Sequence, residues 1–315
     1  MEKTELFDLK DKIQRKGLNK WWKAPFNGRG TLQYATGVGK TRCGILAASL
    51  MAKRLNMDCN ILILTPTEVI RDKSWKEEFY KWNEGDVYEQ CVKCVCIQTA
   101  YKWIGHFFDL VIADELHNYL SPEYFNFFSS NRYNKLLGLS AYIDSMKFDL
   151  LNTIAPICDK VGTKKASELG LISPYKIYNI ALSLSKEEQQ DYQRANNNFN
   201  RLFPFFNKDL KLMYACMNTP KYINFLKQKG LDLDKETSSY PFQCNSAIMK
   251  RKKILYNAEA KLGAVKKLSD MFPEKKTIIF SQTIDFANKV SEQIGKTCVS
   301  FHSKISKKKR TENLD

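Results

Sequence analysis

No run in this chain approaches the roughly 18 consecutive apolar residues of a membrane-spanning helix, and its start, Met1-Glu-Lys-Thr-Glu-Leu6, has no apolar signal core. These two absences set the expectation of a soluble protein of the cytoplasm with no membrane partner. A disulfide framework is missing as well. The nine cysteines are scattered, and the tightest group, Cys91, Cys94 and Cys96, alternates with valine as a buried strand would. No second pair follows at zinc spacing, so core cysteines in a reducing compartment are expected. No internal repeat is visible. Acidic residues are in deficit, 34 against 50 Lys and Arg, for a net charge of +16. A globular chain with that excess usually meets a polyanion, and nucleic acid is the commonest.

What is present points to folded domains. A hydrophobic fraction of 43% in 315 residues excludes a disordered chain and suggests about two domains. Short apolar runs at Ile61–Leu64, Cys94–Ile97, Leu110–Ala113 and Leu136–Leu139 alternate with helical stretches such as Thr41–Leu55 and Glu68–Trp82. That rhythm indicates a parallel sheet covered by helices on both faces. Ligands of such sheets gather at the carboxyl ends of the strands. Polar residues do follow the apolar runs directly: Thr65-Pro66-Thr67, Gln98-Thr99, Asp114-Glu115 and Ser140.

From about Ser185 to Lys250 the texture changes. An N-cap serine with an acidic first turn, Ser185-Lys-Glu-Glu188, opens a helix. Asn, Lys and aromatic residues follow, broken at Pro204, Pro220 and Pro241, which reads as a mostly helical connector. Near Lys261 the strand–helix rhythm returns, with strands expected at Thr277–Phe280 and Thr297–Phe301 around a helix at Ile284–Ile294.

Two motifs carry chemistry. In Ala35-Thr36-Gly37-Val38-Gly39-Lys40-Thr41, the glycines let the backbone wrap a phosphate closely, and the N–H groups of the following helix point at its oxygens. Lys40 can neutralise the terminal phosphates of a nucleotide, and the Thr41 hydroxyl can ligate Mg²⁺. The longer phosphate-loop pattern wants glycine at position 34, which is tyrosine here. In Val111-Ile-Ala-Asp114-Glu115-Leu116-His117, an apolar strand delivers two adjacent carboxylates to the sheet edge. Asp114 can hold the Mg²⁺ through water, and Glu115 can orient and deprotonate an attacking water.

In this order the motifs resemble the superfamily 2 helicases, with a DEAD/DEAH-type box at Asp114–His117, and most closely their phage and type III restriction-enzyme-like branch. Thr65-Pro66-Thr67 followed by Trp75, then Gln98-Thr99, resemble the first nucleic-acid contacts. Leu137-Gly-Leu-Ser140-Ala-Tyr142 stands where the family's Ser/Thr-Ala-Thr motif couples hydrolysis to movement. Glu168–Tyr175 resembles the family's linker phrase. Thr277–Gln282 and Phe301-His302-Ser303, with Arg310 beyond, resemble motifs of the second domain. Gln14 sits where related helicases place an adenine-reading glutamine.

The resemblance implies an α/β architecture: a P-loop NTPase, RecA-like parallel-sheet domain at 1–160, a linker and helical connector at 161–260, and the N-terminal part of a second RecA-like domain at 261–315. It further implies hydrolysis of ATP with Mg²⁺, coupled to movement on nucleic acid, here DNA, in the cytoplasm (the host's, for a phage protein). Lys40, Glu115, His117 and Ser140 would be catalytic. Gln14, Thr36, Gly37, Val38, Gly39, Lys40 and Thr41 would hold the nucleotide, and Thr41 and Asp114 the metal. Pro66, Thr67, Thr99, Ser281 and His302 would contact nucleic acid. The stretch Lys304–Arg310, with five basic residues in seven, reads equally as a solvated face or a backbone contact.

Departures accompany the likeness. Leu116 stands where the family has alanine, and Tyr142 replaces a hydroxyl residue. No motif V or arginine-finger box follows Arg310, which sets the expectation of a truncated chain completed by a C-terminal remainder or a partner. It also keeps open an alternative, a non-catalytic module that binds ATP and nucleic acid.

Overall fold

A computed structural model describes residues 3–67, 74–218, 224, 226–230, 237–306 and 309. The first six residues of the expected helix at Glu68–Trp82, the break at Pro220, and Lys307, Lys308 and Arg310 of the basic tail lie outside the described residues. The chain divides into two compact units, Met1–Ile177 and Tyr178–Asp315.

The first unit holds six strands: β1 (Arg29–Tyr34), β2 (Ile61–Thr65), β3 (Val92–Cys96), β4 (Phe107–Asp114), β5 (Arg132–Ser140) and β6 (Ile157–Val161). They form one sheet in the order β3-β2-β4-β5-β1-β6, every described pairing parallel. Side chains alternate across a strand, so consecutive residues serve opposite faces. Ile63, Ile112 and Leu137 join the core beneath the helices Lys3–Trp22 and Lys40–Arg54. Leu64, Val111 and Leu136 join the core on the other face, with Phe127 and Phe128 from Pro122–Ser130. Burial on both faces is why these strands read in sequence as unbroken apolar runs.

Four of the expected strands appear with longer bounds. At the second of them, Ile97 begins the short helix Ile97–Ala100. The sixth strand, Ile157-Cys-Asp-Lys-Val161, had no apolar run to announce it. It pairs at the sheet edge, where only β1 is its neighbour.

Register brings the functional edge together. Asp114 of β4 stands opposite Leu139 of β5, and Ser140 of β5 stands opposite Gln33 of β1. The phosphate-loop sequence leaves β1, and the carboxylate pair leaves β4 two strands away. Both therefore emerge on the carboxyl edge.

The second unit contains helices at Lys186–Leu202, Leu210–Cys216, Tyr240–Tyr256, Glu259–Met271 and Ile284–Ile294. Lys186–Leu202 opens with a full capping box: Ser185 Oγ accepts from the Glu188 N–H, and the Glu188 carboxylate accepts from the Ser185 N–H. Leu202, Phe206, Met213 and Cys244 form its small core. The helix expected at Ile284–Ile294 is present. The strands expected at Thr277–Phe280 and Thr297–Phe301 are not: neither segment forms a ladder among the described residues. A strand needs a hydrogen-bonded neighbour, and none is supplied here, so Phe280 stays 92% exposed. The second segment is held instead by side chains, as Ser291 Oγ donates to the Cys298 carbonyl and Ser300 Oγ to the Ala287 carbonyl.

Candidate active site at the carboxyl edge of the sheet

The loop between β1 and Lys40–Arg54 turns on two glycines. Gly37 has φ 89° and Gly39 φ 99°, in the left-handed region that L side chains rarely adopt. Space forbids a side chain as well. A Cβ on Gly39 would lie 2.2 Å from Gln14 Nε2, and one on Gly37 would lie 3.1 Å from an Ile172 methyl. The helix that follows starts at Lys40 with no side-chain cap, which leaves its first N–H groups for an anion.

Ahead of this loop lies a cavity of about 590 Å³. Gln14, Thr36, Gly37, Gly39, Lys40, Thr41, Asp114 and Glu115 all line it. Val38 does not: it is fully buried, and its carbonyl accepts from Gln14 Nε2 at 2.8 Å. Gln14 thereby braces the loop, and its oxygen accepts from Arg42. One N–H and one lone pair of its amide remain for a ligand.

Lys40 Nζ stands 3.5 Å from Glu115 Oε1, with only 10% of the lysine side chain exposed. Glu115 itself adopts a left-handed backbone, φ 49°, uncommon for a residue with a side chain. Asp114 is buried against Trp75, whose indole N–H donates to Asp114 Oδ2 at 3.2 Å. Burial first, then the adjacent Glu115 charge, pushes the Asp114 carboxyl up to about 6. The buried Asp114 carboxylate and the Thr41 hydroxyl, which line the same cavity, are hard oxygen donors of the kind that suit Mg²⁺.

His117 and Ser140, from β4's exit and β5's end, meet directly: Nδ1 and Oγ are 2.9 Å apart. Ser140 Oγ donates its only proton to the Tyr142 carbonyl at 2.7 Å, so His117 Nδ1 must carry a proton and donate it. Glu115 Oε2 lies 3.4 Å from the same nitrogen. Burial, helped by the charges of Lys147 and Lys40, outweighs Glu115 and lowers the His117 pKa. The serine–histidine pair thus links the carboxylate motif to the strand beside it.

The departure at Leu116 has a structural partner. Its side chain is fully buried, and a Cβ on Gly138 of β5 would lie 2.5 Å from a Leu116 methyl. The missing side chain at 138 makes room for the larger one at 116.

The expected nucleic-acid residues fall into two places. Pro66 and Thr67 leave β2, and Gln98 and Thr99 leave its neighbour β3; Gln98 Nε2 donates to the Pro66 carbonyl at 3.1 Å, tying the two strand ends together. Ser281 and His302 lie in the second unit. Ser281 Oγ donates to the Thr283 carbonyl at 2.8 Å, and His302 Nε2 is 3.0 Å from Asn288 Oδ1.

Several residues of the cavity escaped sequence reasoning. Lys10 Nζ donates to the Gly37 carbonyl at 2.8 Å. Arg42 lies over the rings of Trp82 and Phe7, at 4.4 and 5.1 Å from their centroids. No motif spacing marks Lys10 or Phe7, which reach the loop only through the packing of the first helix. Trp75, marked in the sequence only as the tryptophan following Thr65-Pro66-Thr67, packs behind the cavity against Gly44 in mid-helix, where a Cβ would meet the indole at 2.6 Å.

Residues 9–145 match the family model described as type III restriction enzyme, res subunit. No curated protein matches the chain. Among solved structures, the Sulfolobus solfataricus SWI2/SNF2 ATPase core in complex with dsDNA is 13% identical, with 98% of this chain and 73% of that one covered at TM-score 0.38. The ATP-dependent type ISP restriction-modification enzyme LlaBIII bound to DNA is 17% identical at TM-score 0.41, covering 58% of this chain and 17% of that one. A nuclease-deletion mutant of the type ISP enzyme LlaGI, in complex with a DNA substrate mimic, is 14% identical at TM-score 0.37, covering 86% of this chain and 34% of that one.

Proposed function

We propose, from the match of residues 9–145 to the type III restriction enzyme res subunit model and from the geometry of the site, that this chain is the motor core of an ATP-driven DNA helicase or translocase. The observation that carries the reading is the convergence of Lys40, Thr41, Asp114 and Glu115 on one cavity at the carboxyl edge of one parallel sheet. The four come from two separate features of the sequence: Lys40 and Thr41 from the glycine-rich loop and the helix it opens, Asp114 and Glu115 from the end of β4.

In this reading the loop's N–H groups and Lys40 hold the β- and γ-phosphates of ATP, and Phe7, Arg42 and Trp82 bound the side where the base lies. Mg²⁺, held by the Thr41 hydroxyl and the Asp114 carboxylate, would screen the phosphate charge when bound. Glu115 accepts the proton of the attacking water, with Lys40 Nζ 3.5 Å from its carboxylate. His117, which donates to Ser140, passes a change at Glu115 to the end of β5. Pro66, Thr67 and Thr99 supply contacts to the sugar–phosphate backbone, which position a strand without reading its sequence. Ser281 and His302 are assigned the matching contacts in the second unit.

A Lys40→Ala variant tests this. Oligonucleotide-stimulated phosphate release should fall about 100-fold or more relative to the parent chain, the scale of losing a charge aimed at the reacting group. Release at the same rate in parent and variant would sink the catalytic reading and leave a module that binds nucleotide and DNA without turnover.

A further inference from the structure

The charge of the molecule is unevenly placed. From Tyr178 onward the chain carries 25 of its 50 basic residues but only 14 of its 34 acidic ones, so +11 of the net +16 lies there. Part of that excess is organised. The run Lys250-Arg251-Lys252-Lys253 sits near the end of the helix Tyr240–Tyr256, where successive residues point in different directions. Arg251 turns toward the helix Lys186–Leu202. Its guanidinium lies 4.0 Å from the Phe199 ring centroid, and Nη1 donates to Asn196 Oδ1 at 2.9 Å. Lys250 and Lys253, three residues apart, share another face with Ser246 and open into a groove of about 460 Å³.

The opposite wall of that groove is Arg194 and Asn198, one helical turn apart on Lys186–Leu202. Ala195 and Ala247, both buried, let the two helices approach closely behind it. The one carboxylate in the lining, Asp191, pairs with Arg194 at 3.4 Å, and both side chains are mostly exposed. An exposed pair of that kind is worth little and yields readily to a phosphate. No carboxylate among the described residues pairs with Lys250 or Lys253.

We propose that this groove is a second binding track for the sugar–phosphate backbone of nucleic acid. Two features separate it from an ordinary solvated helix face. Its cations converge from two helices onto one concave surface, and Arg251, locked between the helices, fixes the spacing of Lys250 and Lys253 by two independent contacts. The donors are lysine and arginine heads with the Asn198 amide and the Ser246 hydroxyl, groups that suit phosphate oxygens. The track owes nothing to the nucleotide cavity of the first unit.

Binding of a fluorescein-labelled oligonucleotide to the full chain, followed by anisotropy across a salt series, tests the assignment. Lys250→Glu with Lys253→Glu should weaken binding at least tenfold at low salt. The plot of log affinity against log salt should become shallower by about 1.4 to 1.8, the effect of losing two phosphate contacts. Lys250→Gln with Lys253→Gln, which removes the charges without reversing them, should flatten the plot similarly while the melting temperature stays that of the parent. A fluorescent ATP analogue should bind all forms alike, whereas Lys40→Ala should lose the analogue and keep the oligonucleotide. Affinity and salt slope unchanged in both double variants would overturn the proposal. So would variants that lose only their retention on phosphatidylserine vesicles, which would make the groove a membrane contact.

Discussion

The unit ending at Ile177 and the unit beginning at Tyr178 place their polar groups by different means. In the first, Asp114, Glu115 and Ser140 sit at strand ends whose positions are fixed by hydrogen bonds to neighbouring strands. Asp114 and Ser140 are buried, and burial followed by the Glu115 charge raises the Asp114 carboxyl to about 6. In the second, no ladder forms among the described residues, and the cations at the groove are exposed and mostly unpaired. Chemistry on one phosphoryl group needs atoms held to a fraction of an ångström. Contact with a long, repeating polyanion needs only charge in roughly the right place. The two kinds of construction suit the two tasks proposed above, hydrolysis of one ligand and a grip on another.

The largest effect that sharpens this contrast is Glu115→Gln. Amide for carboxylate keeps the shape but removes the proton acceptor, so hydrolysis should fall by about 10²–10⁴-fold. Nucleotide affinity should hold or rise, since Lys40 is freed from its 3.5 Å partner. Comparing equilibrium binding of a fluorescent analogue with single-turnover phosphate release separates the two. Equal losses in both would show that Glu115 shapes the cavity and does not handle the proton.

Next comes Trp75→Ala, which should cost about 3–5 kcal/mol in denaturant unfolding, the usual range for emptying a large aromatic site. Trp75 is almost wholly buried, fills the notch left by Gly44, and bonds Asp114 at 3.2 Å. Trp75→Phe keeps an aromatic ring but loses the N–H and part of the indole, for about 1–3 kcal/mol. Because the residue lies in the first unit, hydrogen exchange should quicken there and remain unchanged in Lys186–Leu202. Equal quickening in both would contradict the division into separate cores.

How much of this could be read in the sequence depended on how local the cause was. The P-loop, the carboxylate pair and the order of strand ends are written in contiguous residues, because one loop or one strand does the work. Ser185 as a cap and Ile284–Ile294 as a helix are equally local. Lys10 and Phe7 were opaque, since they reach the cavity only through the packing of the first helix. The sixth strand was missed because an edge strand with Asp159 and Lys160 in its middle has no apolar run. The strands expected at 277–280 and 297–301 have the right residues, yet a strand's existence depends on a partner that its own sequence does not contain. Leu116, a departure by sequence, acquires its meaning from Gly138, more than twenty positions away.

That pair gives a smaller and sharper test. Gly138→Ala puts a Cβ 2.5 Å from both a Leu116 methyl and Thr31 Oγ1, so overpacking should cost about 1–3 kcal/mol. A double-mutant cycle with Leu116→Ala should show coupling of about 0.5–3 kcal/mol, with the leucine truncation less harmful when alanine occupies 138. Strict additivity would mean that the two positions do not share the space.

The smallest effect belongs to the second unit. Ser185 Oγ accepts the Glu188 N–H at 3.2 Å, and Glu188 Oε2 accepts the Ser185 N–H at 2.9 Å. The other oxygen of Glu188 accepts the Glu259 N–H at 2.9 Å, so the cap also joins the starts of two helices. Ser185→Ala breaks one half of the reciprocal pair and should cost about 1 kcal/mol. It should raise exchange at the amides of Lys186–Glu188 without altering the first unit, and it should leave oligonucleotide binding intact, since neither wall of the groove depends on that first turn. Should binding weaken along with the cap, the groove's geometry would have to depend on the start of the helix, and the exposed cations alone could not account for the grip.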